Sequence, residues 1–296
     1  VEVFKVTEEK LSEILEALSI YDGTYKREYV DAAIEIREEI TPYLIEILEK
    51  VLSNPSEYVA REDYHAHIYA LMLLGHFGEH RAHKTIVELF SLPGDIPYKL
   101  FGDIITEDLP VILLRTCDGS LDMIRSLVLN RGADEFCRGS AIRAITFAVA
   151  EGIVEREGVL DFFGSLFTGD EADLSSHFWD ALASDVCNLY PEELMDTIKK
   201  AYQDGLISPG YIQYKHFENA LQDGKEKCLE EVRRELRRRS MDDLHRSMSW
   251  WACFDREKEP FLPVSSASIQ QSKKSKKKAK KKKRRKMAKA SKRKNR

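Results

Sequence analysis

The stretch VLDFFGSLF, residues 159–167, places Val159, Phe162, Phe163, Leu166 and Phe167 at offsets 0, 3, 4, 7 and 8. Those offsets fall on one stripe of an α-helix, wide enough to face a core. The template returns at residues 44–52, 82–90, 121–129 and 194–202, and more weakly at 229–237. Successive starts are spaced 38, 39, 38, 35 and 35 residues apart. Of these 30 template positions 25 are apolar, where the 43% hydrophobic composition predicts about 13 by chance. A helical stripe recurring at this period is the signature of stacked helical repeats. The expected fold is all-α, a solenoid of about six helix pairs.

The net charge of −4 conceals a segregation. Residues 273–296 contain 17 Lys and Arg and no acid, which leaves 29 bases against 50 acids in residues 1–272, a net of −21 there. The five cysteines are scattered and form no CxxC pair, so they read as small buried side chains in a reducing compartment. The N-terminal residues carry Glu2, Glu8 and Glu9 and no apolar signal core. The longest apolar runs, near 69–74 and 111–114, are too short to span a bilayer. A cytoplasmic protein is expected.

Along the chain, Thr7 is placed to cap a first helix ending near Leu18, and Asp22-Gly23 marks a turn. The six pairs are expected at 26–39 with 42–53, 61–77 with 81–91, 104–116 with 120–130, 135–150 with 155–167, 174–189 with 191–204, and 209–222 with 225–239. Thr41-Pro42 reads as a helix start, with Thr as cap and Pro at the first helical position. Helix 135–150 is apolar over a wide arc that includes Phe136, which suits a helix packed on both sides. In the sixth pair Arg233 and Arg237 interrupt the stripe, as a terminal capping repeat requires. Ser240 reads as the cap of a last helix ending near Trp251. The expected organisation is a solenoid with its C-terminal cap over residues 1–254, a Pro- and Ser-containing linker over 255–272, and a disordered Lys/Arg tail over 273–296.

Several stretches carry a family resemblance: REEITPYLIEILEKVL at 37–52, YALMLLGHFGEHRAHKTIVELFSLPGD at 69–95, FGDIITEDLPVILLRTCDGSLDMIRSLV at 101–128, FCRGSAIRAITFAVAEGIVEREGVLDFF at 136–163 and SMSWWACF at 247–254. They resemble the bacterial domain-of-unknown-function family 1186, found among others in chlamydiae and cyanobacteria, over roughly residues 5–254. The resemblance implies a HEAT-like helical protein with no assigned activity. Some similar proteins continue into a Cys-rich, zinc-binding SEC-C motif; here nothing after Cys253 supplies Cys or His, and the Lys-rich tract stands in its place.

The tail is the strongest functional signal. Lys276, Lys277, Lys278, Lys280, Lys281, Lys282, Lys283, Arg284, Arg285 and Lys286 can neutralise phosphates and release counterions, giving salt-sensitive binding of RNA or DNA without sequence choice. The tail contains no aromatic residue, so base stacking is not expected of it. The same residues match a nuclear address, and they equally suit a solvated tail or a ligand of the acidic body. Five of eight histidines lie between His65 and His83, but Gly78 interrupts the i, i+4 pair His76 and His80, which argues against a metal site. Asp103, Glu107, Asp108 and Asp118 read first as helix caps and only second as acid–base pairs. Trp250 and Trp251 suit either a partner patch or closure of a core. Glu46, Asp161, Asp196 and Glu231 share one offset in four stripes and suggest an acidic strip for a basic partner on the second helices.

The expectation is therefore a non-enzymatic scaffold that docks an unidentified protein on the solenoid and attaches to nucleic acid or ribosomes through its tail. No cofactor, metal or membrane is implied. The alternatives are an enzyme on the same scaffold, with a small-molecule substrate and scattered catalytic residues, and an effector exported to a host nucleus.

Overall fold

A computed structural model describes residues 7–254, and the linker and tail assigned to 255–296 lie outside the described residues. Thr7 caps α1 (Glu8–Ser19), its hydroxyl accepting from the Lys10 N–H at 3.3 Å, and Leu11, Ile14 and Leu18 line its buried face. Then come α2 (Arg27–Glu35), α3 (Arg37–Ser53) and α4 (Pro55–Val59). The next group is α5 (Ala66–Phe77), α6 (His83–Phe90) behind a 3-10 turn at His80–Ala82, α7 (Ile96–Phe101), α8 (Ile104–Glu107), α9 (Leu109–Thr116) and α10 (Asp122–Leu129). The chain continues through α11 (Glu135–Ala150), α12 (Arg156–Ser165), α13 (His177–Asn188) and α14 (Met195–Gln203) to α15 (Tyr214–Asp223), α16 (Lys225–Arg238) and α17 (Leu244–Met248). Among the described residues there is no strand, and two isolated β-bridges, Ile20 with Tyr64 and Pro93 with Ala133, join loops.

The helices stack in two layers. The inner layer runs α1, α5, α9, α11, α13, α15, each packed on the next, while α3, α6, α10, α12 and α14 form the outer layer. The repeating stripes are the outer layer's inward faces: Leu44, Leu48 and Val51, then Ile86, Leu89 and Phe90, then Ile124 and Val128, then Val159 and Phe163, then Ile198 and Ala201 are all buried. The middle helices of the inner layer, α5, α9 and α11, are apolar nearly all round because something covers both of their sides. In α11 residues 137–142 and 144–150 are buried, and in α5 only Ile68 and His76 are not.

The second cover is the C-terminal segment, and here the structure departs from the sequence-based expectation. Rather than capping the end of the stack, α16 lies on α11 and α13, and α17 returns to α5. Polar contacts fix the return. The Arg233 Nε donates to the Ala150 carbonyl at 3.0 Å, and His76 Nδ1 meets the Met241 carbonyl at 2.6 Å. His245 bridges the Tyr25 hydroxyl (2.8 Å) and Asp31 (2.7 Å), and the Tyr21 hydroxyl donates to the Cys253 carbonyl at 2.8 Å. Met241, Leu244 and Met248 are buried beneath these links.

Three local readings are also corrected. The first break falls at Ile36, not at Thr41-Pro42: α3 starts at Arg37, Pro42 lies inside it, and the buried Thr41 hydroxyl donates to the Arg37 carbonyl at 2.7 Å. Because Pro42 is still near the helix start, its missing N–H removes only one rung of the ladder. The last helix is capped by Asp243, which accepts from the Arg246 N–H at 3.1 Å, while Ser240 bonds locally to Asp242. Phe136 stands at the mouth of α11 and is 42% exposed instead of joining the core. Of the five cysteines, Cys117, Cys137 and Cys228 are buried and Cys187 and Cys253 are half-buried.

Candidate functional site

The segment 95–108 connects the second and third pairs, and its length is what opens a site. Gly102, at φ +54° and with open space around it, lets the chain turn between α7 and α8. The C-terminal segment passes on one side of this connection and the start of α11 stands on the other. A cavity of about 430 Å³ lies between Tyr98–Asp108 and Trp250–Cys253, floored by Ile68, Leu100 and Phe101. A second hollow shares Tyr98, Gly102 and Asp103 with it and reaches Phe136. A third, of about 220 Å³, shares Glu107 with the first, and Thr106 and Phe136 with the second, and extends to His177 and Tyr211. The shared residues set the three hollows side by side, and together they are called the groove.

Two features distinguish the groove. Five aromatic side chains are strongly exposed among the described residues, and four of them, Tyr98 (58%), Phe136 (42%), Tyr211 (55%) and Trp250 (71%), line it. His177 joins Phe136 and Tyr211 by stacking on the first at 4.7 Å and meeting the second edge-on at 5.3 Å. Exposed aromatics gathered in one concavity mark recognition surfaces, whereas single ones are ordinary.

The other feature is acidity. Asp95, Asp103, Glu107, Asp108, Asp134, Asp185 and Glu235 line the groove against Lys99, Arg143 and Arg239. The three cations are already engaged: Lys99 with Asp95 at 2.9 Å, Arg143 with Asp185 at 3.2 Å and Glu235 at 3.3 Å, and Arg239 with Glu235 at 3.1 Å. Arg239 also donates to the carbonyls of Thr106 and Glu107, at 2.9 and 2.6 Å, tying α16 to the connection. Asp103 and Asp108 have no ion-pair partner among the described residues. Asp108 stands at the start of α9 but caps no N–H with its carboxylate, contrary to the capping expectation. Burial, reinforced by the charge of Glu107 and opposed by Arg239, pushes its carboxyl up to about 7. Burial likewise raises Asp185 to about 6, against the attraction of Arg143.

The remaining sequence-singled residues fall as follows. Trp251 is half-buried, packed on the core and stacked on Phe254 at 5.9 Å, whereas Trp250 faces the groove. Glu46 on α3, Asp161 on α12 and Asp196 on α14 are exposed on the outer layer, but Glu231 is on α16, which packs on the inner layer, so the four do not make one strip. Lys84 and Met123 occupy the same offset on the intervening α6 and α10, and Glu46 is paired with Lys50 at 2.8 Å. The histidines serve packing and linkage: buried His67 meets the Leu100 carbonyl and His83 the Thr116 hydroxyl, each at 2.8 Å. Among the described residues no group of three or more His, Cys, Asp or Glu is gathered to hold a metal. Lys276–Lys278 and 280–286 lie outside the described residues.

Sequence reasoning missed Tyr98, Phe136 and Tyr211. Their signal was an aromatic beside a helix-entry or turn element: Pro97 next to Tyr98, Asp134 before Phe136 and Pro209-Gly210 before Tyr211. Such aromatics sit where the chain leaves the core.

Fold and site together define a helical-repeat protein with an aromatic, acid-lined groove on its inner layer. The chain belongs to the family described as "Protein of unknown function (DUF1186)", whose model matches residues 9–255. It is 35% identical over 224 residues to an "Uncharacterized protein" of Chlamydia trachomatis serovar D, covering 75% of this chain and 89% of the relative. A second "Uncharacterized protein", from Chlamydia muridarum, is also 35% identical over 224 residues, covering 75% of this chain and 90% of the relative. No solved structure matches, and no helix among the described residues is long and apolar enough to cross a membrane.

Proposed function

We propose that this protein is a non-enzymatic scaffold that docks a protein segment in the inner-layer groove and attaches to nucleic acid through residues 273–296. The observation that carries the first half is the convergence of Tyr98, Phe136, Tyr211 and Trp250 on one groove. Aromatic side chains bring large contact area at low entropic cost, and a soluble protein leaves them uncovered where a partner covers them. The second half rests on the 17 cations of the tail.

A photo-crosslinking residue placed at Trp250 in cells, with one at Glu46 as the outer-layer control, tests the groove. Protein adducts at position 250 and none at 46 are the expected result, and no adducts at either site removes the docking reading. For the tail, RNA and DNA binding by the full chain is compared with a chain ending at residue 264 across a salt series. If six to ten phosphates are contacted, affinity falls about 10³- to 10⁵-fold between 50 and 200 mM salt. The shortened chain should not bind. Equal binding by both chains would transfer the activity elsewhere, and binding by neither would leave the tail as an address signal.

A further inference from the structure

The partner's chemistry is written in the groove. We infer that the groove receives a lysine- and arginine-rich peptide segment of another protein, with cationic heads paired to Asp103 and Asp108 and the stems laid on Trp250 and Tyr98. The inference rests on the docking reading above and adds the class of partner.

Charge comes first. An acidic lining alone would be a solvated surface, but here the cations present are spent on other carboxylates, which leaves Asp103 and Asp108 without an ion pair among the described residues. Asp108 is half-buried, and a half-buried carboxylate lacking a counter-ion is costly; an incoming cation relieves that cost where an anion or apolar group would not, and the exposed Asp103 adds attraction beside it.

Shape and ring chemistry agree. The cavity is bounded by Tyr98 and Trp250 above an apolar floor of Ile68, Leu100 and Phe101. Lys and Arg have this same division: an apolar stem that covers hydrocarbon and a charged head that needs a carboxylate or a ring face. Trp is the strongest cation–π acceptor, and Trp250 is 71% exposed at the rim. An acidic peptide would meet repulsion throughout, and an apolar one would bury Asp103 and Asp108 unpaired. The groove therefore selects by penalty as well as by attraction.

The test is fluorescence anisotropy with the full chain and two labelled twelve-residue probes, alternating Lys-Ala and alternating Glu-Ala. The Lys-Ala probe is expected to bind saturably at the groove, whereas any binding of the Glu-Ala probe, which the 17 cations of residues 273–296 can supply, should be unaffected by the groove variants. Trp250→Ala, and separately the pair Asp103→Asn with Asp108→Asn, should each weaken the Lys-Ala probe about tenfold, the size of one desolvated cation–π or charge contact. The outer-layer set Glu46→Gln, Asp161→Asn and Asp196→Asn should leave it unchanged. Equal weakening by the outer-layer set would mean diffuse attraction to an acidic surface and would overturn the inference, as would groove variants that bind normally. Binding that appears only in a chain ending at Ser272 would name residues 273–296, not another protein, as the occupant. Adducts at position 250 together with no Lys-Ala binding would leave the docking reading standing and remove only the basic partner.

Discussion

Arg138 carries a charge into α11 with 2% of its surface exposed. Its Nε donates to the Val128 carbonyl at 2.8 Å and its Nη1 to the Glu171 carbonyl at 2.7 Å, and the guanidinium lies 3.8 Å from the Phe178 ring centroid. Burial lowers it to about 10, so it stays charged at neutral pH, joining α11 to the end of α10, to the loop at Glu171 and to α13. Arg138→Met retains the stem but leaves two carbonyls unsatisfied, and should cost about 3 kcal/mol as a downward shift in urea midpoint. A second residue-scale prediction concerns pH. Burial holds His67 and His83 down at about 4, while Asp108 and Asp185 are raised to about 7 and 6. Between about pH 4 and 6.5 the unfolded chain binds protons on those histidines that the folded chain does not, so their contribution to stability rises with pH. In the same window the folded chain holds protons on the two aspartates that the unfolded chain has released, so their contribution falls with pH. The four effects oppose one another, and stability should be nearly level there. Asp108→Asn removes one of the opposing groups. The variant should lose stability on acidification from pH 6.5 to 4 and exceed the parent most above pH 7, as guanidinium titrations at several pH values would show.

At the scale of elements, α5, α9 and the C-terminal segment meet in close contact. A Cβ at Gly75 would stand 2.8 Å from Ile112 Cγ1 and 3.0 Å from the Met241 methyl. Met241 can swing aside, but Ile112 is fully buried and branched at Cβ. Gly75→Ala gains up to about 1 kcal/mol in helix propensity and loses about 1–3 kcal/mol to overpacking, so the clash should win by roughly 1 kcal/mol. Its urea midpoint should fall; an unchanged or higher midpoint would mean that α17 is free to lift away. The same junction includes Arg115, which donates to the carbonyls of Gly75 and His76 at 2.9 and 2.7 Å and pairs with Asp242 at 3.0 Å. Glycine is used there for close approach of elements, while Gly78, at φ +62°, ends α5 in the left-handed conformation that the repeat turn needs.

Across residues 7–254 the C-terminal return changes the energetics of a repeat protein. A bare solenoid contacts only its nearest neighbours and unfolds in segments, but α16 and α17 join helices that are far apart in the stack. The parent should therefore unfold with coincident far-ultraviolet circular dichroism and tryptophan fluorescence transitions, as an all-or-none unit does. A chain ending at Ser240 keeps Trp179, buried in α13, as its only tryptophan and loses the buried Met241, Leu244 and Met248. Its two transitions should separate, with ellipticity lost before Trp179 fluorescence changes, because α1–α5 lose their cover first. Coincident transitions in the shortened chain would show that neighbour packing alone makes the unit cooperative.

The sequence by itself determined the helical stack and most of its boundaries. Helix 135–150, the 155–167 stripe and the Gly78 turn follow from 3.6-residue periodicity, turn chemistry and caps, all of which act within a few residues of the chain. The family resemblance over residues 37–52, 69–95, 101–128, 136–163 and 247–254 was legible for the same reason, since it too is carried by short runs. Tertiary structure alone decided what covers the inner layer. Arg233 and Arg237 look polar enough to end a stack, yet α16 lies on α11 and α13; its partners, the Arg143 side chain and the carbonyls of Ala150 and Thr106, lie some 80 to 130 residues earlier in the chain and have no local signature. The groove has the same origin. Tyr98 with Asp108, Phe136, Tyr211 and Trp250 come from four separate parts of the chain, and only packing brings them to one surface.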